Sequence, residues 1–322
     1  MKLATLRDGS PDGRLLVVSR DLSRAVDAAS IAPTLLSALG QWESVEAPLR
    51  HLAEALESGR VQGVPFDPAQ AMAPLPRAPQ WLDGSCFLNH ARLMAKAFKL
   101  DKGVDTEIPL VYQGASDDFL GPQDDSPLPS EADGIDFEGE FAVITGPVPM
   151  GTRAGDAERH IRLITMVNDV SLRAFGPREM LSGFGFVQAK PSTTFAPVAI
   201  TPDELGEYWR DGRVHLPLHM SWNGEWFGHP NGGDMDFGFH RLIEHVTRTR
   251  KLSAGTIIGS GTVSNADPAA GSACIAERRA IEMIAGQPLT PYMRFGDRVR
   301  LTALLPDGTA PFGVIDQKMV AG

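Results

Sequence analysis

Short apolar runs separated by turn residues dominate this chain, and each run carries its own period. Leu15, Leu16, Val17 and Val18 make a compact apolar run within residues 14–19, which reads as a strand. Over residues 31–39 and 48–58 the spacing turns helical. Leu49, Leu52 and Leu56 fall on one stripe, and Pro48 is expected in the first turn, where its missing N–H leaves no bond unmade. Residues 89–98 predict a helix with His90 in its first turn. Strands are expected over 140–145, 162–167, 194–200, 214–220, 256–258, 298–305 and 312–315, with one more helix over 239–250 that turns Leu242, Ile243 and Val246 inward. Trp222-Asn223-Gly224-Glu225-Trp226 predicts a hairpin, because Asn-Gly accepts positive φ at both turn positions. No internal repeat interrupts this order, which predicts an α+β fold dominated by β-structure.

The prolines Pro65, Pro68, Pro74, Pro76 and Pro79 fall close together and cannot sit inside regular structure. They place a boundary near residue 75, with a small N-terminal domain before it and a larger one over 76–322. A chain of 322 residues with 43% hydrophobic and 22% charged residues can build a large core without staples. Its 33 glycines and 25 prolines suit many short elements joined by turns. A net charge of −10 argues against nucleic acid and anionic membranes as partners. Cys86 and Cys274 have no metal-ligand or framework spacing, and reduced thiols suit a cytoplasmic location. The N-terminus lacks the apolar core of a signal peptide, since Arg7 and Asp8 interrupt it.

Chemistry gathers at three places. Asp83 precedes His90 by seven residues; Asp136, Glu138 and Glu140 alternate; and Asp169 closes the apolar run Leu163-Ile164-Thr165-Met166-Val167. Alternate residues of a strand share a face, so Asp136, Glu138 and Glu140 either line a solvated face or surround a cation. A carboxylate at the end of a buried strand must be paired, metal-bound or a helix cap. Three carboxylate clusters suit one hard divalent cation, and a nearby histidine suits a base working beside it. Together they read as a metal-dependent enzyme, with hydrolysis the favoured reaction. Other templates fail: Gly183-Phe184-Gly185 lacks a third glycine, and there is no phosphate loop, nucleophile elbow or His-Glu-x-x-His. His215 and His219 flank Pro217 without a neighbouring cysteine and read as edge-strand residues.

In order along residues 80–320, these segments resemble the fumarylacetoacetate hydrolase family. Asp83 to His90 is similar to its Asp-x6-His segment, Asp136 to Glu140 to its Asp-x-Glu-x-Glu motif, and Asn168-Asp169-Val170-Ser171-Leu172-Arg173 to its Asn-Asp-x-Ser-x-Arg segment. Leu110 to Gly114 resembles its tyrosine segment, Lys190-Pro191-Ser192-Thr193-Thr194 its lysine strand, and Gly259-Ser260-Gly261-Thr262 its Gly-Thr turn. The resemblance implies a fumarylacetoacetase-like mixed β-sandwich roll behind the small N-terminal domain. It implies Asp83, Glu138, Glu140 and Asp169 as ligands of Mg²⁺ or Ca²⁺, with Mn²⁺ an alternative. His90 becomes the base that activates water, Lys190 and Arg173 stabilise the oxyanion, and Lys99, Tyr112 and Thr262 contact the substrate. The implied reaction is hydrolysis of a carbon–carbon bond in a 1,3-diketo acid, fumarylacetoacetate to fumarate and acetoacetate, a step of tyrosine and other aromatic amino acid degradation. The partner would be that small molecule alone, bound by a homodimer.

This chain departs from the family's namesake enzyme at two places. Gly176 and Met180 stand where it has Gln and Tyr contacts, and the offset of its base-orienting Glu falls on Ile275. Glu277, two residues on, shares a strand face with Ile275 and takes that role here; otherwise it pairs at the surface with Arg278 or Arg279. Hydrolases of acylpyruvate or fumarylpyruvate, a decarboxylase or isomerase, and a non-catalytic binder of metal or small acids are the alternatives.

Overall fold

A computed structural model describes residues 1–99 and 104–322. An eleven-stranded sheet runs through the molecule in the order Val64–Pro65, Arg24–Asp27, Arg14–Val18, Lys2–Leu6, Ala199–Ile200, Ile161–Asn168, Gly139–Thr145, Ile257–Gly259, Trp81–Ser85, Leu110–Gly114, with Thr194–Phe195 pairing beside Ile161–Asn168. Every neighbouring pair is antiparallel except Ile257–Gly259 with Trp81–Ser85. Its centre is buried on both faces, which explains why residues 140–145 and 162–167 read as nearly continuous apolar runs. Alternation still sorts the side chains. Phe141 and Val143 enter one core, with Leu82, Ile164 and Ile258, while Ala142 and Ile144 enter the other, with Leu163, Trp81 and Leu3.

The helices are α1 (Leu35–Gly40), α2 (Trp42–Glu57), α3 (Leu88–Ala97), α4 (Ala154–Ala157), α5 (Gly176–Ser182), α6 (Phe239–Val246) and α7 (Ile275–Ala285). α1 and α2 cover one face through Leu35, Leu39, Trp42, Leu49 and Leu56. The other face packs on α6 and on a five-stranded sheet ordered Glu225–Gly228, Leu218–Trp222, Arg298–Ala303, Ile315–Ala321, Ser126–Leu128. The result is the expected β-dominated α+β architecture. Its first hairpin pairs across the expected boundary, Lys2 opposite Ile200 and Leu3 opposite Ala199, so the N-terminal strands extend the large sheet.

Several elements differ from the sequence reading. Pro48 lies inside α2 rather than in its first turn. The bond it cannot make would go to the carbonyl of Ser44, and both residues are exposed, so water can satisfy that oxygen. Residues 194–200 split around Pro197, and 214–220 around Pro217, because proline cannot donate to a ladder. The last strand begins at Ile315, later than expected. The hairpin at Asn223 and Gly224 forms as expected, with φ of 52° and 83°. Two differences reach the site. The Asp136–Glu140 segment is not one strand: Ile135–Asp136 pairs with Ser171–Leu172, and a new strand starts at Gly139. Ile275 and Glu277 lie in α7, not on a strand.

Candidate active site

Asp83 sits in the strand Trp81–Ser85, opposite Gly259 on one side and Tyr112 on the other. A Cβ at residue 259 would strike the Asp83 carboxylate, so glycine there leaves the carboxylate its space. The Gly261 N–H donates to Asp83 Oδ1 at 3.2 Å, from a backbone held at φ 76°. Glu140 stands opposite Val167 on the adjoining strands, and Asp169 follows directly after Asn168. This register brings carboxylate oxygens of Asp83, Glu140 and Asp169 within 4.8 Å of one another, all buried.

The carboxylates divide by their partners. Asp169 accepts from Thr193 Oγ1 at 2.7 Å, Tyr112 Oη at 2.6 Å and Lys190 Nζ at 2.7 Å. Glu138 accepts from Lys190 Nζ at 2.6 Å and from Arg173 Nη2 at 2.6 Å. Both oxygens of Glu140 are buried, with no hydrogen-bond partner among the described residues. Burial pushes the Asp83 carboxyl up to about 8, and Asp169 adds to it. Burial, then Asp83, Asp169 and Glu138, drives Glu140 well above the carboxylate range. Glu138 goes the other way: burial would raise it, but Lys190 and Arg173 hold it down at about 2. Lys190 keeps its charge, because Asp169 and Glu138 outweigh the effect of burial.

Two oxygens without hydrogen bonds, on a fully buried carboxylate beside two others, fit a hard divalent cation. Asp83, Glu140 and Asp169 would hold it. Glu138, expected as a fourth ligand, lies outside this convergence because the strand break at residues 137–138 turns it toward Lys190 and Arg173.

His90 lies in the first turn of α3 as expected, and its Nδ1 is 2.9 Å from Glu277 Oε2. Glu277 is in the first turn of α7, almost fully buried, and the two helices pack together. A carboxylate partner at Nδ1 demands N–H there, which leaves Nε2 to accept. His90 is near enough to Glu138 to favour that residue's ionised form. The surface pairing of Glu277 with Arg278 or Arg279 does not occur: Arg278 donates to the Phe227 carbonyl and Arg279 to that of Thr290.

The remaining expected residues spread out. Arg173 gives Nε to Asp136 at 2.8 Å as well as Nη2 to Glu138, so it acts as a clamp between carboxylates. Tyr112 spends its hydroxyl on Asp169. Thr262 is buried in the turn after Gly261. Lys99 is exposed beyond α3, roughly 14 Å along the helix direction from His90. Gly176 and Met180 lie on α5, with Met180 exposed. Sequence reasoning gave no role to Thr193 or Asn168, although both stand within segments already singled out. Asn168 Oδ1 accepts from the Glu138 N–H at 3.0 Å, and its Nδ2 donates to Gln317 at 2.9 Å.

A buried carboxylate triad able to hold a divalent cation, set on a mixed sheet beside a His–Glu pair, makes this an α+β protein with a candidate metal centre. The particular family follows from its sequence models. Residues 80–319 match that of the fumarylacetoacetate hydrolase C-terminal domain, and residues 1–77 match fumarylacetoacetase N-terminal domain 2, so the chain belongs to the fumarylacetoacetate hydrolase family. It is 26% identical over 242 residues to the mitochondrial oxaloacetate tautomerase FAHD2B of Bos taurus, covering 74% of this chain and 72% of that one. It is 29% identical over 157 residues to a 2,4-didehydro-3-deoxy-L-rhamnonate hydrolase of Sphingomonas sp. strain SKA58, covering 48% of this chain and 52% of that one. The fold matches maleylpyruvate hydrolase of Sphingobium sp. SYK-6, solved with manganese(II) and pyruvate, at a TM-score of 0.67 and 18% identity over the whole of both chains. Family and site are consistent with a metal-dependent reaction that cleaves or isomerises a diketo acid. No helix among the described residues is long and apolar enough to cross a membrane.

Proposed function

We propose that this protein hydrolyses a carbon–carbon bond of a 1,3-diketo acid, with fumarylacetoacetate as substrate and fumarate and acetoacetate as products. The observation that carries the reading is the His90–Glu277 pair, 2.9 Å apart beside the carboxylate cluster. Binding a cation does not need a base with a dedicated orienting carboxylate; activating water does. Mg²⁺, Ca²⁺ or Mn²⁺ on Asp83, Glu140 and Asp169 would supply Lewis-acid polarisation of the diketo oxygens.

The chain's own groups do the rest. His90 Nε2 takes a proton from water as the oxygen attacks the carbonyl, and Glu277 stabilises the imidazolium. The carbon–carbon bond breaks as the carbonyl re-forms, its electron pair passes to the leaving enolate, and His90 returns the proton there. Lys190 and Arg173 keep Glu138 ionised and fixed, so their contribution to the oxyanion is a positive field rather than a free hydrogen bond. Tyr112 orients Asp169 by its hydroxyl. The substrate as sole partner, a cytoplasmic setting, homodimerisation and a role in aromatic amino acid degradation belong to the same reading.

The likeness to an oxaloacetate tautomerase favours a second reading, in which the same base moves a proton without cleavage. A panel of fumarylacetoacetate, fumarylpyruvate, acetylpyruvate and oxaloacetate separates the two. The chelated, Mg²⁺-reloaded enzyme should cleave fumarylacetoacetate with the highest kcat/KM and place one oxygen from labelled water in a product carboxylate. His90→Ala should lose about 10²–10⁴-fold in kcat with metal binding intact. A preference for oxaloacetate without label incorporation would overturn the hydrolase.

A further inference from the structure

We infer that Asp136 is a positioning residue: it holds Glu277 on His90 and ties that pair to the carboxylate cluster. The inference rests on the hydrolytic reading for its catalytic meaning, and on geometry for everything else. Asp136 opens the acidic motif of which Glu138 and Glu140 are the other members; its side chain shares Arg173 with Glu138 and reaches on to the start of α7. Its carboxylate is fully buried. Oδ1 accepts the N–H of Ile275 at 2.7 Å, and Oδ2 accepts the N–H of Ala276 at 2.8 Å and Arg173 Nε at 2.8 Å.

Ile275 and Ala276 are the first two residues of α7, and Glu277 is the third. The N-cap itself is Cys274, whose sulfur takes the Glu277 N–H at 3.3 Å. A thiol is a weak acceptor, so the strong cap is the one that Asp136 brings from a distant strand. Fixing two consecutive N–H groups fixes the direction in which the first turn of α7 projects Glu277. On its other side Asp136 fixes Arg173, which holds Glu138. The connected path is Glu138, Arg173, Asp136, the start of α7, Glu277, His90. α3 is anchored independently: the Leu88 N–H donates to Asp236 Oδ2 at 2.7 Å, and Asn89 donates to Ser264 at 2.9 Å. With α3 held elsewhere, the register of His90 against Glu277 is set from the α7 side, by Asp136.

Asp136→Asn in the full chain tests this. Three donors converge on the two oxygens, and an amide sets its own N–H against at least one of them. The metal-free protein should lose the dominance of the Nδ1-protonated His90 tautomer, read from the ring ¹⁵N shifts, as Glu277→Gln does. The Mg²⁺-loaded enzyme should lose about 10–100-fold in kcat, with KM and Mg²⁺ affinity within about threefold. Adding Asp136→Asn to Glu277→Gln should cost little more, since both act through one bond. A variant that melts earlier but keeps the tautomer and kcat would overturn the inference and leave Asp136 a helix cap. A tautomer change in a protein that cleaves no diketo acid, mutant or parent, would sink the proposed function and leave the positioning intact. Should the variant fail to fold, hydrogen exchange on the unaltered protein decides. The Ile275 and Ala276 amides must exchange only with global unfolding, and fast local exchange there would overturn the inference.

Discussion

Glu140→Gln should stabilise the metal-free protein while abolishing its response to metal. Glu140 is fully buried, and neither of its oxygens has a hydrogen-bond partner among the described residues. Burial and three neighbouring carboxylates hold its carboxyl well above the ordinary 4.5. Above about pH 4.5 the unfolded chain ionises this group, whereas the metal-free folded chain holds its proton to a higher pH. The folded state therefore binds more protons, and stability falls as pH rises from about 4.5 toward the folded value. The cost of that proton is about 1.36 kcal/mol for each pH unit above the unfolded value, up to the folded one. Gln has the same shape and no proton to take up. Its advantage should vanish near pH 4.5 and grow as pH rises toward the folded value, each kcal/mol of it worth roughly 1.5 °C in Tm for a chain of this length. Asp83, raised to about 8, gives a slope of the same sign, and because it lies against Glu140 the substitution shifts it too, so the pH dependence belongs to the pair. Urea denaturation in EDTA at pH 5, 6, 7 and 8 reads the gain, and repetition with Mn²⁺ should reverse the ranking. A variant less stable than its parent at pH 7 in EDTA, or one that Mn²⁺ stabilises as much as the parent, would refute the reasoning.

Other consequences can be measured with the same tools. Lys190→Met leaves Glu138 and Asp169 buried without their shared cation and should cost about 3–5 kcal/mol by urea denaturation; a loss under about 1 kcal/mol contradicts the pairing. Lys2, almost fully buried, has its ammonium pushed down to about 8 by burial, so the unfolded state binds the extra proton between there and 10.5. Parental stability should therefore rise with pH across that window, and Lys2→Met should be up to about 3 kcal/mol more stable at pH 7, with no advantage left at pH 10.5. Gly261→Ala puts a Cβ against the Gly84 carbonyl from a left-handed backbone and should lose more than about 1 kcal/mol; calorimetric Mn²⁺ titration should show weaker binding, as the N–H on Asp83 is displaced.

Legibility followed the range of the cause. His90 stood where expected because its helix begins directly after the strand that carries Asp83. Asn223 and Gly224 made their turn because both demands on φ are met locally. The alternation of Asp136, Glu138 and Glu140 misled because period two assumes an unbroken strand. The break at Phe137 and Glu138 comes from a pairing switch, from Ile135–Asp136 against Ser171–Leu172 to Gly139–Thr145 against Ile161–Asn168. Its local trace is Gly139, a glycine inside an otherwise strand-like pattern, which marks a break without saying which strand pairs next. α7 was missed for a related reason. Its N-cap is a cysteine, a poor capping residue, and its strong cap arrives from a residue 139 positions earlier. Pro48 argued for a helix start six residues too late, because propensity cannot see that the orphaned carbonyl faces water.

The break in that strand also settles how the site's charge is balanced. Five buried carboxylates, Asp83, Asp136, Glu138, Glu140 and Asp169, share two cations, Lys190 and Arg173. Had the motif stayed in one strand, Glu138 and Glu140 would have presented the same face to the same neighbours. Turned as it is, Glu138 takes a hydrogen bond from each cation, and Asp169 takes the second bond of Lys190. Those contacts leave Asp83 and Glu140 uncompensated, and they are the two whose carboxyls burial drives up. Asp83 and Glu140 stand on the side of the cluster that neither cation contacts, which is where a divalent cation would meet both of them. On the proposed reading the same division gives the roles: Asp83 and Glu140 would answer to the metal, Glu138 and Lys190 to the protein, and Asp169 to both. Metal affinity should thus fall steeply with acid through Asp83 and Glu140, while Glu138, held at about 2, keeps its ion pairs over the same range.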